Sequence, residues 1–126
     1  MMSPSLLRAY RRTHYTACGV VVRVGRRTPD ALFAQVGARQ AVFVTAWNPR
    51  SRRMPQDWND RMQRRLAQRL RRFVVVAADG RLGRWHEAHL LVAADARGIL
   101  RLARMFRQRG VVVARQGQRA RLVLLV

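Results

Sequence analysis

Lysine is absent from this sequence, and glutamate and cysteine occur once each. The single cysteine, Cys18, excludes an internal disulfide. It sits in the apolar run TACGVVV and reads as a small buried hydrophobe in a reducing compartment. No stretch approaches the ~20 apolar residues of a membrane-spanning helix. The opening MMSPSLLRAYRRT has too short an apolar run for a secretory leader. The expectation is a cytoplasmic protein with no membrane partner. Chemistry-bearing motifs are also scarce. There is no G-x-S-x-G around an activated serine. Gly80 and Gly83, in DGRLG, precede no helix and read as turn residues, not as a phosphate cradle. Six acidic residues in all supply few paired carboxylates for acid–base work.

What is present is arginine. The chain of 126 residues holds 26 of them, for a formal charge of +20. A GC-rich coding bias explains arginine in place of lysine, but not the shortage of acids. Such a chain attracts polyanions. About half of the residues are hydrophobic (49%) and they are spread along the whole length, enough for one domain with a true core.

The segment YTACGVVVRVG, residues 15–25, is β-branched and reads as one strand. Thr28, Pro29 and Asp30 suit the start of a helix that Gly37 stops. AVFVTAW from Ala41 is a second strand, and Asn48–Pro49 turns the chain. A helix over about 55–72 follows, with Trp58, Met62, Leu66, Leu70 and Phe73 as its apolar stripe and Arg61, Arg65, Arg69 and Arg72 as a parallel one. FVVVAA and WHEAHLLVAA form a hairpin. Asp95 caps a helix over about 96–107, burying Ile99, Leu100, Ala103 and Phe106. VVVAR and ARLVLLV close the chain around QGQ. The order β-α-β-α-β-β-α-β-β, with about three helices, predicts an α+β single domain with a mixed or antiparallel sheet. Residues 1–9 read as a loosely ordered N-terminal segment.

His86, Glu87 and His89 spell H-E-x-H, one residue short of the zinc-protease motif. Strand alternation puts His86 opposite Glu87 and His89, so no metal or cofactor is expected. Glu87 beside Trp85 could act as a base with a shifted pKa. In this composition, pairing with an arginine is the favoured alternative.

AYRRTHY, FVTAWNP, a Ser-then-Asn segment, W-x-E before an apolar strand and F-x-Q before VVV together resemble an uncharacterised bacterial family, domain of unknown function 3293. The resemblance runs from about Tyr10 to Val126, and TAWNP is its most specific piece. It matches Ser51, Asn59, Trp85, Glu87 and Gln108 to the family's pattern. The chain departs at His89, where the family often has serine, and at Arg107, where it usually has glycine. The resemblance implies a fold and a site location but no reaction.

Two functions compete. Arg50, Arg52 and Arg53 in the loop, with the stripe of Arg61, Arg65, Arg69 and Arg72, suit backbone phosphates of RNA or DNA. The expected function is an Arg-rich module for such a polyanion, with little sequence selectivity. The alternative is a small-molecule or enzymatic site. On extended strands Thr45 and Trp47 share a face, as do Trp85 and Glu87. With Asn48, Asn59 and Gln108 they would line a polar cleft walled by indoles. Equally, Trp47 and Asn48 could form a purely structural corner.

Overall fold

The computed structural model describes residues 3–125. A first helix, α1 (Pro4–Arg12), precedes a hairpin of β1 (His14–Ala17) and β2 (Val20–Val22). Then come α2 (Asp30–Val36), β3 (Gln40–Val44), a 3-10 turn at Pro49–Ser51 and α3 (Gln56–Arg69). A long hairpin of β4 (Val74–Leu82) and β5 (Trp85–Ala93) is followed by α4 (Ala96–Met105), β6 (Gly110–Arg115) and β7 (Arg121–Leu124).

The expected α+β class holds, with a wholly antiparallel sheet of seven strands in the order β2-β1-β4-β5-β3-β6-β7. The sheet curls until its two edges meet. Val24, just past β2, bridges Ala120, just before β7. The Gly25 N–H donates to the Ala120 carbonyl at 2.8 Å, and the Ala120 N–H donates to the Arg26 carbonyl at 2.9 Å. Curling in this way satisfies edge groups that an open sheet would leave bare.

Strand alternation then divides the core in two. On the inner face Tyr15, Val22, Phe43, Leu91, Val112 and Ala120 pack with Leu32 and Val36 of α2. On the outer face Val42, Val44, Val92, Val111 and Val113 pack with Leu66 and Leu70 of the α3 segment and with Ile99, Leu102 and Ala103 of α4. Neighbouring residues, such as Val42 and Phe43, therefore serve opposite cores, the direct result of the two-residue period.

The structure corrects several expectations. From Pro4 on, the N-terminal segment is not loose: α1 is a full helix, with Ser3 accepting from the Leu6 N–H at 3.2 Å and Pro4 in its first turn, while residues 1 and 2 lie outside the described residues. This makes four α-helices among the described residues, not three. The single strand over 15–25 is a hairpin, because Cys18 (φ 53°) and Gly19 (φ 74°) both take left-handed backbone and form a two-residue turn. Cys18 is accordingly exposed at the turn, not buried. Thr28 does not cap α2: its hydroxyl is buried without a hydrogen bond, and Pro29 holds the cap position. Gly37, at φ 67°, does terminate that helix, and Asp95 does cap α4, accepting from the Arg97 N–H at 2.9 Å. On α4 Leu102 takes the buried position, and Leu100 and Phe106 are half-buried. The α3 helix stops at Arg69, so Arg72 lies in the following turn and Phe73 is exposed.

Leu66 is fully buried at the centre of the outer core. Leu66→Ala should cost ~2–5 kcal/mol, read as a lower urea midpoint with unchanged slope. A loss too small to measure would show that α3 contributes nothing to this core.

Candidate functional site

The inner face changes character along its strands. The row that buries Leu91 continues through His89 and Glu87 to Trp85, and Phe43 is followed on its side by Thr45. Where α2 covers the sheet, the row is apolar; beyond it, the row is polar. Over that polar end lies α1. Leu6, Ala9, Tyr10 and Thr13 recur at i, i+3, i+4 and i+7, so one helical side faces the sheet. Between α1 and the sheet is a cavity of about 310 Å³. Its polar lining includes Tyr10, Tyr15, Asn48, Glu87, His89 and Gln108, and its apolar lining includes Leu6, Leu82 and Trp85.

Asn48 organises the site. Its side-chain nitrogen donates to Glu87 Oε2 at 2.8 Å. Its side-chain oxygen accepts from the Met54 N–H at 2.9 Å and from Asn59 Nδ2 at 3.0 Å. Its own N–H donates to Asn59 Oδ1 at 3.0 Å. Both acceptor sites of the Asn48 oxygen and one of its two N–H donors are thus committed, and its orientation is settled by partners on three chain segments. Gln108 Nε2 donates to the Trp47 carbonyl at 3.0 Å, tying the segment after α4 to the same bend. Thr45 fixes the end of β3: its hydroxyl donates to the Ala88 carbonyl at 2.7 Å and accepts from the Trp47 N–H at 3.0 Å.

Burial tunes the titratable groups. Glu87 is pushed up to about 7 by loss of water, only partly opposed by the Asn48 hydrogen bond. His89 is pushed down to about 4, chiefly by burial, so its ring is neutral at pH 7. Tyr10 rises to about 12 through burial and the nearby Glu87 carboxylate, and burial raises Tyr15 as well. Both phenols are therefore neutral O–H donors. His89 also explains a glycine. A Cβ on Gly80, the diagonal neighbour of His89 on β4, would stand 2.8 Å from the His89 ring, so only glycine leaves room for the imidazole. Chemically, the cavity offers a carboxyl that exchanges its proton near neutrality, among fixed hydrogen-bond donors and aromatic walls.

Backbone strain gathers at the same place. Asn48 (φ 47°), Arg50 (φ 54°), Ser51 (φ 61°) and Arg107 (φ 57°) are all left-handed without being glycine. The Arg50 N–H donates to the Arg107 carbonyl at 2.7 Å. Ahead of Pro49, Asn48 stays out of the right-handed helical region and the chain turns; it does so in the left-handed form, a region asparagine tolerates.

Of the residues anticipated from sequence, Thr45, Asn48, Trp85, Glu87 and Gln108 line the cavity together. Asn59 stands behind Asn48 and orients it. Trp47 lies elsewhere. Because β3 ends at Val44, alternation does not carry on to Trp47, and its indole packs edge-on against His86 at 5.6 Å. The walls are therefore one indole and two phenols, not two indoles. The arginine partner favoured for Glu87 is not there; Asn48 holds it instead. His86 turns away from Glu87 and pairs with Asp79. Of the arginines, Arg53 lines the cavity, Arg50 accepts through its carbonyl from Arg109 Nε, and Arg52, Arg61, Arg65, Arg69 and Arg72 are exposed. Tyr10, Thr13, Tyr15 and His89 were missed. The Ser3-Pro4 start and the i, i+3, i+4, i+7 spacing after it were the signal for α1.

A family model described as "Protein of unknown function (DUF3293)" matches residues 44–111, just over half of the chain. That segment contains Asn48, Asn59, Glu87 and Gln108, whereas α1 and its tyrosine lie outside it. Neither the curated proteins nor the solved structures include a match.

Two outcomes are expected. Arg107→Gly should raise stability, by up to about 1 kcal/mol, because glycine takes positive φ without strain; a clear fall in the urea midpoint would contradict this. Glu87 binds its proton more tightly folded than unfolded, where its ordinary value is 4.5. Its contribution to stability is full below that value, shrinks as pH rises, and is gone above about 7. Glu87→Gln keeps an acceptor for Asn48 and removes the titration. Its stability relative to wild type should therefore climb on the order of 3 kcal/mol across that window. Parallel pH curves for the two proteins would show that Glu87 is not perturbed.

Proposed function

The chain belongs to the DUF3293 family, whose description names no activity, and we propose from the geometry of the site that it binds a small molecule beneath α1. In this reading Glu87 exchanges a proton with the ligand. The carrying observation is a buried carboxyl, with a pKa near 7, held by the Asn48 amide at the wall of a partly open cavity. A carboxyl with that value is matched to proton transfer at neutral pH. The Asn48–Asn59 pair supports the reading, since a group that serves only as a turn needs no second asparagine to aim it at a carboxylate. So does the cluster of left-handed residues at the mouth, because strain persists where the surrounding structure enforces a shape. The volume suits a compact ligand with a polar end toward Glu87 and an apolar body against Leu6, Leu82 and Trp85.

A second reading keeps the polyanion partner. Arg61, Arg65 and Arg69 on α3 and Arg97, Arg101 and Arg104 on α4 are exposed, and the two helices pack side by side on the outer face. Among the described residues, the arginines in ion pairs are Arg27 and Arg81, so this face keeps its charge. RNA or DNA bound there, with help from Arg50, Arg52, Arg53 and Arg72, would be held through its phosphates. With five contacts, the log–log salt slope would be roughly −4.

A fragment library screened by amide NMR separates the readings. The cavity reading expects hits that shift Tyr10, Tyr15 and Glu87, with affinity that changes around pH 7 in wild type and stays flat in Glu87→Gln. Fragments that leave those signals unmoved would reject it. The polyanion reading expects an oligonucleotide to shift α3 and to lose affinity on Arg65→Glu with Arg69→Glu.

A further inference from the structure

A second concave site lies on the opposite side of the β1–β4 tip from the cavity. It is an open groove of about 360 Å³ lined by Arg12, His14, Arg23, Arg81, Leu82 and Gly83. None of its lining residues is an acid. We propose that this groove is a phosphate-binding site, separate from the α3 surface and independent of the cavity reading.

The placement follows from strand register. His14 on β1 and Arg81 on β4 are direct cross-strand partners, and Arg81 is in turn the partner of His86 on β5. Arg23 follows immediately on β2, whose Val22 pairs with Tyr15, so it lies beside His14. Arg12 ends α1 two residues before His14. Basic side chains thus occupy one line across four neighbouring strands, about 4.8 Å apart from strand to strand. Arg23 and Arg81 stand two strands apart in this row, with His14 between them. The one nearby acid relieves part of the groove: Asp79 pairs with Arg81, which leaves Arg12 and Arg23 as the lining guanidiniums outside any ion pair among the described residues. Asp79 is engaged by Arg81 Nε at 3.4 Å and by His86, on the β5 side of the row.

Arg23 gives the second observation. Its Nε is buried and has no hydrogen-bond partner. A desolvated guanidinium N–H left unpaired is costly. A small shift of the Arg23 side chain toward a bound oxyanion would bring that donor a partner, and the ion would balance the charge of Arg12 and Arg23. Three guanidinium forks around one hollow suit a tetrahedral phosphate better than a planar or neutral ligand, since each fork offers paired N–H donors. The phosphate could belong to a free phosphate compound or to a nucleic-acid backbone; the chemistry of recognition is the same.

The test compares variants of equal charge. Arg23→Gln with Arg81→Gln removes two charges from the groove; Arg65→Gln with Arg69→Gln removes two from α3. Inorganic phosphate is titrated against each by NMR of arginine Nε–H signals, and a short single-stranded oligonucleotide by fluorescence anisotropy. The groove pair should lose about tenfold in affinity for the probe that binds, while the α3 pair keeps it. Saturable phosphate binding with a shift at Arg23 identifies a free phosphate ligand. Oligonucleotide binding that phosphate does not displace identifies a backbone. Arg12→Gln, on the exposed end of α1, leaves the sheet intact and should also weaken binding, which guards against misfolding of the double variant. Equal losses in both pairs would reduce the groove to bulk charge and overturn the proposal, as would the absence of binding by either probe.

Discussion

The hydrogen bond from Asn48 to Glu87 joins the two halves of the site, and most of its surroundings exist to hold those two residues at 2.8 Å. Glu87 comes from the middle of the sheet and cannot move without β4 and β5. Asn48 comes from an irregular bend, where nothing in a regular ladder fixes position. The bend is therefore secured by side chains: Thr45 to Ala88, Gln63 to Ala46, Asn59 to Asn48 and Gln108 to Trp47. Each reaches back to β3, β5, α3 or the end of α4. The consequence is electrostatic. A carboxyl held away from bulk water, with one neutral donor and no cation, keeps its proton up to about pH 7, even in a chain of charge +20. Net charge governs encounter with partners; local desolvation governs this group.

The curl of the sheet makes the cavity possible. Bringing Val24 to Ala120 wraps the inner face around α2 at one end and leaves a hollow at the other, which α1 covers. The helix has no fully buried residue, in contrast to α3 and α4. It rests on the cavity with its apolar side and presents Arg8, Arg11 and Arg12 outward. An element with so little buried surface sits at the low-stability end of a fold, the place where access to an enclosed site is ordinarily arranged.

Charge is distributed by the same geometry. Packing the apolar stripes of α3 and α4 on the outer face pushes their arginines into solvent together. Strand pairing lines up Arg23, His14 and Arg81 at the far end of the sheet. Two basic surfaces result, one on α3 and α4 and one at the groove. Leu82 belongs to both hollows, so the tip of the β4–β5 hairpin is the wall they share.

The sequence by itself determined the local elements whose signals are short-range. The four-residue spacing of Met62, Leu66 and Leu70 specified α3, Gly37 ended α2, Asp95 began α4, and the two-residue period of β5 put Glu87 and His89 on one side with His86 on the other. TAWNP and W-x-E marked where the site would be. Tertiary structure decided the rest. Whether 15–25 was one strand or two depended on Cys18 and Gly19 both accepting left-handed backbone, which a β-branched run does not announce. Trp47 left the cavity because β3 stopped three residues earlier, under a hydroxyl bond from Thr45 to a strand distant in sequence. The partner of Glu87 was an asparagine and not one of 26 arginines, because composition counts what is available and only the fold decides what is within reach. The closure of the sheet and the cover of α1 were equally invisible, since both rest on contacts between segments distant in sequence.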